Sequence, residues 1–183
     1  MPDVRQTITD FYRVAQDRDF ARDFQFRVLN IQAGDTSSVT FDEDDLVYIR
    51  TASLPGKAIT NQNVPYMGLN FRVPGNVTYN QSDGWTVQFY CDQNSKIRQT
   101  LEQYQSDIFD DSTSTGNYNA PKPTSLIDLV QLDTQLEEVA HYQLIGAYPT
   151  NIGDIGYSIA EGSGATLTVD ATFAFQYWRR TSP

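Results

Sequence analysis

One cysteine, one histidine and two methionines are all that 183 residues contain of those types. A single Cys excludes an intramolecular disulfide and a thiolate metal cluster, and a single His excludes the multi-histidine zinc sites. Bases are scarce too: 13 Lys and Arg stand against 23 Asp and Glu, a formal net charge of −10 with a sequence pI near 4.3. Such a balance excludes a free-standing nucleic-acid binder, because phosphate contacts are made chiefly by Lys and Arg. No window approaches the ~18 consecutive apolar residues of a membrane span, and Met1-Pro-Asp-Val-Arg-Gln-Thr7 lacks the basic-then-apolar order of an export signal. The chain therefore reads as made and kept in a reducing cytosol, with no membrane anchor. On that reading the N-x-S/T triplets at Asn76 and Asn80 are polar strand-edge residues and stay unmodified.

Motifs that carry chemistry are missing as well. There is no glycine-rich dinucleotide fingerprint, no Walker loop, no His-Glu-x-x-His and no EF-hand loop. His141 sits in Ala140-His141-Tyr142-Gln143, a strand pattern with no elbow motif at any serine. These absences predict a protein that is not an enzyme and takes no cofactor or metal. The run Asp42-Glu43-Asp44-Asp45 lacks the glycine and spacing of a calcium loop and reads as a solvated acidic loop. Asp107, Asp110 and Asp111 form a second acidic patch, placed where the dipole disfavours it, at the end of a helix.

What is abundant is aromatic bulk: 10 Phe, 11 Tyr and 2 Trp supply a core for one domain spanning 1–183. Val4, Ile8, Phe11, Tyr12 and Ala15 recur at helical spacing and predict an amphipathic helix over about 3–16. From Phe24 the period falls to two, with Phe24, Phe26 and Val28 on one face and Gln25, Arg27, Leu29 and Ile31 on the other. A second strand is expected from Leu46 to Leu54, then a polar loop from Pro55-Gly56 to Asn63, with Val64-Pro65 opening an edge strand. Strands at Phe71–Val77 and Trp85–Cys91 flank a turn signal at Ser82-Asp83-Gly84. Trp85, Val87, Phe89 and Cys91 share a face, so Cys91 reads as a small packed apolar residue.

Ile97, Leu101, Tyr104 and Ile108 define an internal helix over about 95–109, with Asn94 and Ser95 as cap candidates. Residues 110–123 are too polar to pack and read as a surface loop. Strands follow at 126–133 and 139–147, and one long terminal strand is expected over 165–178. The fold class predicted is mainly β, a sandwich or small barrel of antiparallel strands with two helices.

Several segments taken in order carry a resemblance. They are Asp19-Phe20-Ala21-Arg22, Thr51-Ala-Ser-Leu-Pro-Gly56, Asp83-Gly-Trp-Thr-Val87, Gly146-Ala-Tyr-Pro-Thr-Asn-Ile-Gly153 and Phe173-Ala-Phe-Gln-Tyr-Trp178. Together, across almost the whole chain, they resemble the tail tube proteins of contractile-tailed bacteriophages, a design similar to the tube of type VI secretion systems. The loops at about 33–45 and 110–123 look longer than the family's minimum.

The resemblance implies six copies closing into a ring with a shared inner β-barrel, and rings stacking into a hollow tube. That tube would be a virion part assembled in the host bacterial cytoplasm, enclosed by the tail sheath protein and begun on a baseplate tube initiator. Tape measure protein and genomic DNA would occupy its lumen without specific binding. An acidic subunit suits a DNA conduit, since each base in the wall would add phosphate affinity. Six copies at −10 each make a ring of about −60, so contacts between rings must rest on complementary patches and apolar burial.

By the family's layout, Pro55, Gly56, Lys57 and Asn61 are candidate contacts to the next ring, with Asp42 or Asp44 as the acid facing Lys57. Polar strand residues Thr86, Gln88, Asp128 and Gln131 are candidates for the lumen. Phe11, Tyr12 and the Arg179-Arg180 tail are candidate outer or inter-subunit contacts. A hydrolase using two carboxylates stays open, because the pairing of acids is a property of space that sequence does not show, and two other readings fit the same residues. One is a tube initiator or terminator ring. The other, of a different class, is a carbohydrate-binding sandwich, which needs exposed Trp and Tyr where the tube reading buries Trp85.

Overall fold

A computed structural model describes residues 7–79, 84–119, 122–160 and 162–181. Residues 3–6 of the first expected helix, Asn80 and the Ser82-Asp83 part of the turn signal lie outside these ranges. The first helix, α1 (Ile8–Asp17), starts on a full capping box: Thr7 Oγ1 accepts from Asp10 N, and the Asp10 carboxylate accepts from Thr7 N. None of its residues is buried.

The alternation read from Phe24 fails twice: Phe24 is exposed and Gln25 buried ahead of the strand, and the period breaks again at Leu29. In β1 (Phe26–Gln32) the register slips between Val28 and Asn30, so Leu29 bulges out and Val28 and Ile31 both reach the core. The expected acidic loop is the start of α2 (Glu43–Val47), where Asp42 and Asp45 cap one another reciprocally and Asp45 is buried. The expected strand from Leu46 thus begins only at β2 (Ile49–Ala52).

The polar loop expected after Gly56 is instead strand β3 (Ala58–Tyr66), which turns at Met67-Gly68 into β4 (Leu69–Thr78). Both turn residues have positive φ, +48° and +79°, the two-residue geometry that suits the twist of a hairpin. Pro65 and Pro74 are tolerated because the pair stands alone as a two-stranded ribbon with free outer edges.

Next come β5 (Trp85–Tyr90) and α3 (Lys96–Ile108). Ser95 does not cap α3, having φ +53° and no side-chain bond; the Asp92 carboxylate accepts from the N–H groups of Lys96 and Ile97 instead. A two-residue hairpin pair, β6 (Phe109–Asp110) and β7 (Thr115–Gly116), occupies part of the expected 110–123 loop. The chain then forms β8 (Leu126–Leu132), β9 (Glu138–Ile145), β10 (Tyr148–Ile152), β11 (Thr168–Ala174) and β12 (Tyr177–Thr181).

Two antiparallel four-stranded sheets result, ordered β1-β8-β9-β12 and β10-β11-β5-β2. The expected long terminal strand is two strands in different sheets: β11 pairs with β5 and β10, and β12 pairs with β9. The core lies between the sheets, built from Trp85, Val87, Phe89, Val169, Ala171 and Phe173 of one against Val28, Ile31, Ile127, Leu129 and Leu144 of the other. α3 adds Ile97, Leu101 and Tyr104. The Tyr104 hydroxyl meets Ser125 Oγ at 3.0 Å and donates to Ala147 O at 3.1 Å, closing the polar end of this buried wedge. Tyr104→Phe should therefore lower unfolding free energy by about 1 kcal/mol, the usual worth of a buried hydrogen bond. Urea denaturation followed by circular dichroism measures it.

Cys91 is half-buried behind β5. Burial first, then the Asp92 carboxylate, pushes its thiol up from its ordinary value despite Arg98 nearby. The thiol stays protonated at neutral pH, so iodoacetamide should modify the folded chain far more slowly than the urea-unfolded chain.

Candidate functional site: assembly surfaces

The residues singled out in the sequence fall on separate surfaces. Pro55 is buried, and Gly56 O accepts a bond from Trp178 Nε1 at 3.2 Å. Pro55 thus packs within its own subunit, while Gly56 is exposed and ties the base of the ribbon to Trp178. Lys57 and Asn61 are exposed, at the base of the ribbon and on β3. Asp42 is already engaged: Lys96 Nζ lies 2.7 Å from its carboxylate and 3.2 Å from that of Asp45. These two hydrogen bonds, Asp42 first, hold the Lys96 ammonium above its ordinary value. Asp44 is exposed and has no ion-pair partner among the described residues.

The ribbon is the most unusual surface of the subunit. Ile59, Val64, Tyr66, Met67, Leu69 and Phe71 are all exposed on it, Met67 at 86%. An isolated two-stranded hairpin is marginal in water, and apolar surface this continuous is rare on a monomer. Between Lys57 and Thr78 the only charged residues are Lys57 and Arg72. In a chain of −10, this segment carries no acid at all.

Thr86 and Gln88 share the outer face of their sheet with Asp170 and Thr172. Thr86 Oγ1 meets Thr172 Oγ1 at 3.3 Å, and Gln88 Nε2 donates to Asp170 at 2.8 Å. Arg50, also on this sheet, lies over the Tyr90 ring at 5.8 Å. The face is thus a lattice of hydroxyls and amides with one acid and one base, each already engaged.

Asp128 and Gln131 are elsewhere, on β8 of the opposite sheet, so no single lumen surface can hold all four candidates. Three positions apart on one strand, they also point to opposite faces of it. Asp128 is nearly buried and accepts from His141 Nε2 and Gln143 Nε2, both at 2.9 Å. His141 Nδ1 lies 3.2 Å from Glu138, so two carboxylates fix the ring. Among the described residues no group of three or more His, Cys, Asp or Glu is arranged to hold a metal ion.

Arg179 and Arg180 belong to edge strand β12, not to a loose tail. Arg179 donates through Nε and Nη2 to Gln143 Oε1, while Arg180 faces the other way. Phe11 and Tyr12 are exposed on α1, with Phe11 stacked on Phe20 at 6.0 Å. Trp85 is 0% exposed, which removes it from any carbohydrate platform.

The acids at the end of α3 find local donors, which explains their tolerance. Asp107 accepts from Ser37 Oγ and from Gln103 Nε2, and Asp110 accepts from Ser112 and Thr113. Bonds from Ser112 above all hold Asp110 below the usual carboxylate range, as bonds from Thr7 hold Asp10. A lowered folded value means stabilisation that is present above about pH 4, the ordinary carboxylate value, and is lost as pH falls through the folded value. Amide NMR during acid titration should show the start of α1 and the β6–β7 turn loosening in that acidic window, before the core.

Two facing antiparallel sheets, a wedge helix and a projecting apolar ribbon define a mainly β subunit with a large exposed apolar surface. The match to the model of the phage tail tube protein family covers residues 15–181, and the chain belongs to that family. Its fold is that of solved contractile injection system proteins. The 6-fold symmetrised baseplate of the anti-feeding prophage includes a chain with TM-score 0.62 at 14% identity, covering 89% of this chain and 96% of that one. The tube-terminating cap of the same particle gives 0.61 at 11%, covering 91% and 93%. A sheath-tube complex of the PVC extracellular injection system gives 0.57 at 10%, covering 98% and 100%. No curated protein sequence matches the chain. The protein is a structural component of a phage tail tube, and no helix among its described residues is long and apolar enough to cross a membrane.

Proposed function

We propose that six copies close into a ring and that rings stack into the rigid inner tube of a contractile tail. The sheath surrounds this tube, a baseplate initiator starts it, and tape measure protein and then DNA pass through it without specific binding. Assembly takes place in the host bacterial cytoplasm, and the subunit catalyses nothing. The observation that carries this reading is the ribbon: about 30 Å of strand pair with exposed apolar residues along both strands and no cover of its own. It is the contact between copies in neighbouring rings, with Lys57, Asn61 and Arg72 as its polar groups.

The lumen is lined by the outer face of the β10-β11-β5-β2 sheet, with Thr86, Gln88, Thr172 and the engaged Asp170. Arg50 is the one base on this face, set over the Tyr90 ring beside neutral polar groups and Asp170, while the subunit's net −10 keeps the field repulsive. Gln88→Arg should leave tube formation intact and place six new cations in each ring. Particles carrying it should release DNA more slowly, with the deficit relieved by salt.

Sedimentation velocity over a concentration series tests the assembly reading. Species that grow with concentration support it, and a monomer at every concentration contradicts it. A second reading, a ring that ends the tube, is favoured by the equally good fit to a tube-terminating cap. An end ring would form closed rings that never stack.

A further inference from the structure

A helix as short as α1 is marginal in water unless it packs on something, and no residue of α1 is buried. Ile8, Phe11, Tyr12 and Ala15 follow one another at i, i+3, i+4 and i+7, a single apolar stripe, and the first three are exposed. Among the described residues, the one ring that meets this stripe from outside the helix is Phe20, stacked on Phe11.

Uncovered apolar surface lies within its reach. Between β1 of one sheet and β2 of the other, at the open edge of each, is a groove of about 870 Å³ whose lining includes Phe24, Leu29, Leu46 and Val47. That lining begins at Asp23, just beyond the link that follows α1. Residues 18–22 of the link span about 17 Å when extended, against about 15 Å for the helix itself. Arg22 is pinned at the lip, its N–H donating to Gln25 Oε1 at 2.6 Å and its carbonyl accepting from Gln25 N at 3.1 Å, which leaves 18–21 as the hinge. Charge does not choose the occupant, since the groove sets Arg27 and Arg50 against Asp23 and Glu43, and α1 carries Asp10, Arg13 and Asp17. The tether does: a segment fixed at the lip is present at a roughly millimolar effective concentration, whatever the concentration of other copies.

We infer that α1 is a strap that closes over the groove of its own chain in the free subunit and is released when copies assemble. The release rests on the reading that copies stack, and the closure does not. Closing covers the stripe and the groove together and shields the open edges of β1 and β2, through which a sheet recruits another chain. Closed subunits are withheld from assembly, so the concentration needed to assemble rises as the open fraction falls. The structure has α1 off the groove, in the released position.

Cross-linking within one chain tests the closure. In a Cys91→Ser background, chains carrying both Thr9→Cys beside the stripe and Val47→Cys in the groove, two exposed positions, are treated with a short bismaleimide below the assembly concentration. The expected product is an internally linked monomer whose yield is unchanged by dilution. That yield should be several-fold above the yield from Thr9→Cys paired with Ile159→Cys, an exposed control in the β10–β11 loop, at the edge of that sheet farthest from β2. Phe11→Asp sets a charge in the stripe and takes nothing from the core. It should reduce the linkage to the control level and lower the concentration of half-assembly by about tenfold, as when nine in ten free subunits are closed. Internal linkage no greater than the control overturns the strap. Linkage mainly between chains, rising with concentration, overturns it in favour of a neighbour's α1. Linkage that Phe11→Asp removes without easing assembly overturns the strap's hold on assembly. Internal linkage in a chain that never assembles, with or without Phe11→Asp, supports the closure and removes the tube.

Discussion

Replacing Ala58–Thr78 with a short Gly-Ser link should abolish assembly and leave the sandwich folded. The ribbon pairs only with itself and is fastened at its two ends, so its removal takes no side chain out of the central core. Assembly, on the proposed function, loses its main apolar contact. The concentration needed for half-assembly should rise by at least about 100-fold, as when interface residues worth ~3 kcal/mol or more are deleted. Sedimentation should show a monomer at concentrations where the parent chain forms large species, with an unchanged far-UV spectrum apart from the lost strands. Phe71→Asp should act in the same direction, because it sets a charge amid the apolar contact. Rods of ordinary length from the shortened chain would show that the ribbon is not what joins the copies.

Trp85→Ala should be the most damaging single change to the subunit itself. Trp85 is fully enclosed, packs on Phe173 with ring centroids 5.9 Å apart, and donates Nε1–H to Ser53 O at 2.6 Å. Emptying a site of this size costs about 3–5 kcal/mol, a large share of the ~5–15 kcal/mol that holds a domain folded. Urea unfolding below the assembly concentration should place the variant's midpoint far under that of the parent. Trp85→Phe should keep most of the packing and lose mainly the bond to Ser53 O, about 1 kcal/mol. A loss under 1 kcal/mol for the alanine variant would mean the core collapses around the gap.

These two residue sets differ in how plainly the sequence shows them. The β5 alternation of Trp85, Val87 and Phe89 is legible because a half-buried strand in mid-sheet imposes period two, and the spacing of Ile97, Leu101 and Tyr104 is legible for the matching helical reason. The ribbon is not: Thr60-Asn-Gln-Asn63 is polar, and a strand pair outside the core has no reason to alternate. Its turn, Met67-Gly68, also lacks the Asn-Gly or Asp-Gly signature.

Other misreadings share one cause, a local pattern overruled by distant partners. The apolar run from Leu167 to Tyr177 does not break in sequence, yet at Gln176 the backbone bonds to Ile145 O and the chain passes to the other sheet. Leu29 bulges because β1 must keep both Val28 and Ile31 against the core. Asp42 reads as a free acid until Lys96, 54 positions away, is seen beside it. The lumen candidates separated for the same reason: polarity marks Thr86, Gln88, Asp128 and Gln131 alike, and only strand order assigns them to two sheets.

On the proposed function, copies of this chain stack into a hollow tube once their concentration is high enough to start one without the baseplate. Electron microscopy of the purified protein, raised in concentration and imaged both side-on and end-on, tests it most directly. Uniform hollow rods with six-fold end views that lengthen as concentration rises are the expected result. Dispersed single subunits at every concentration, or solid fibres without a channel, would contradict it.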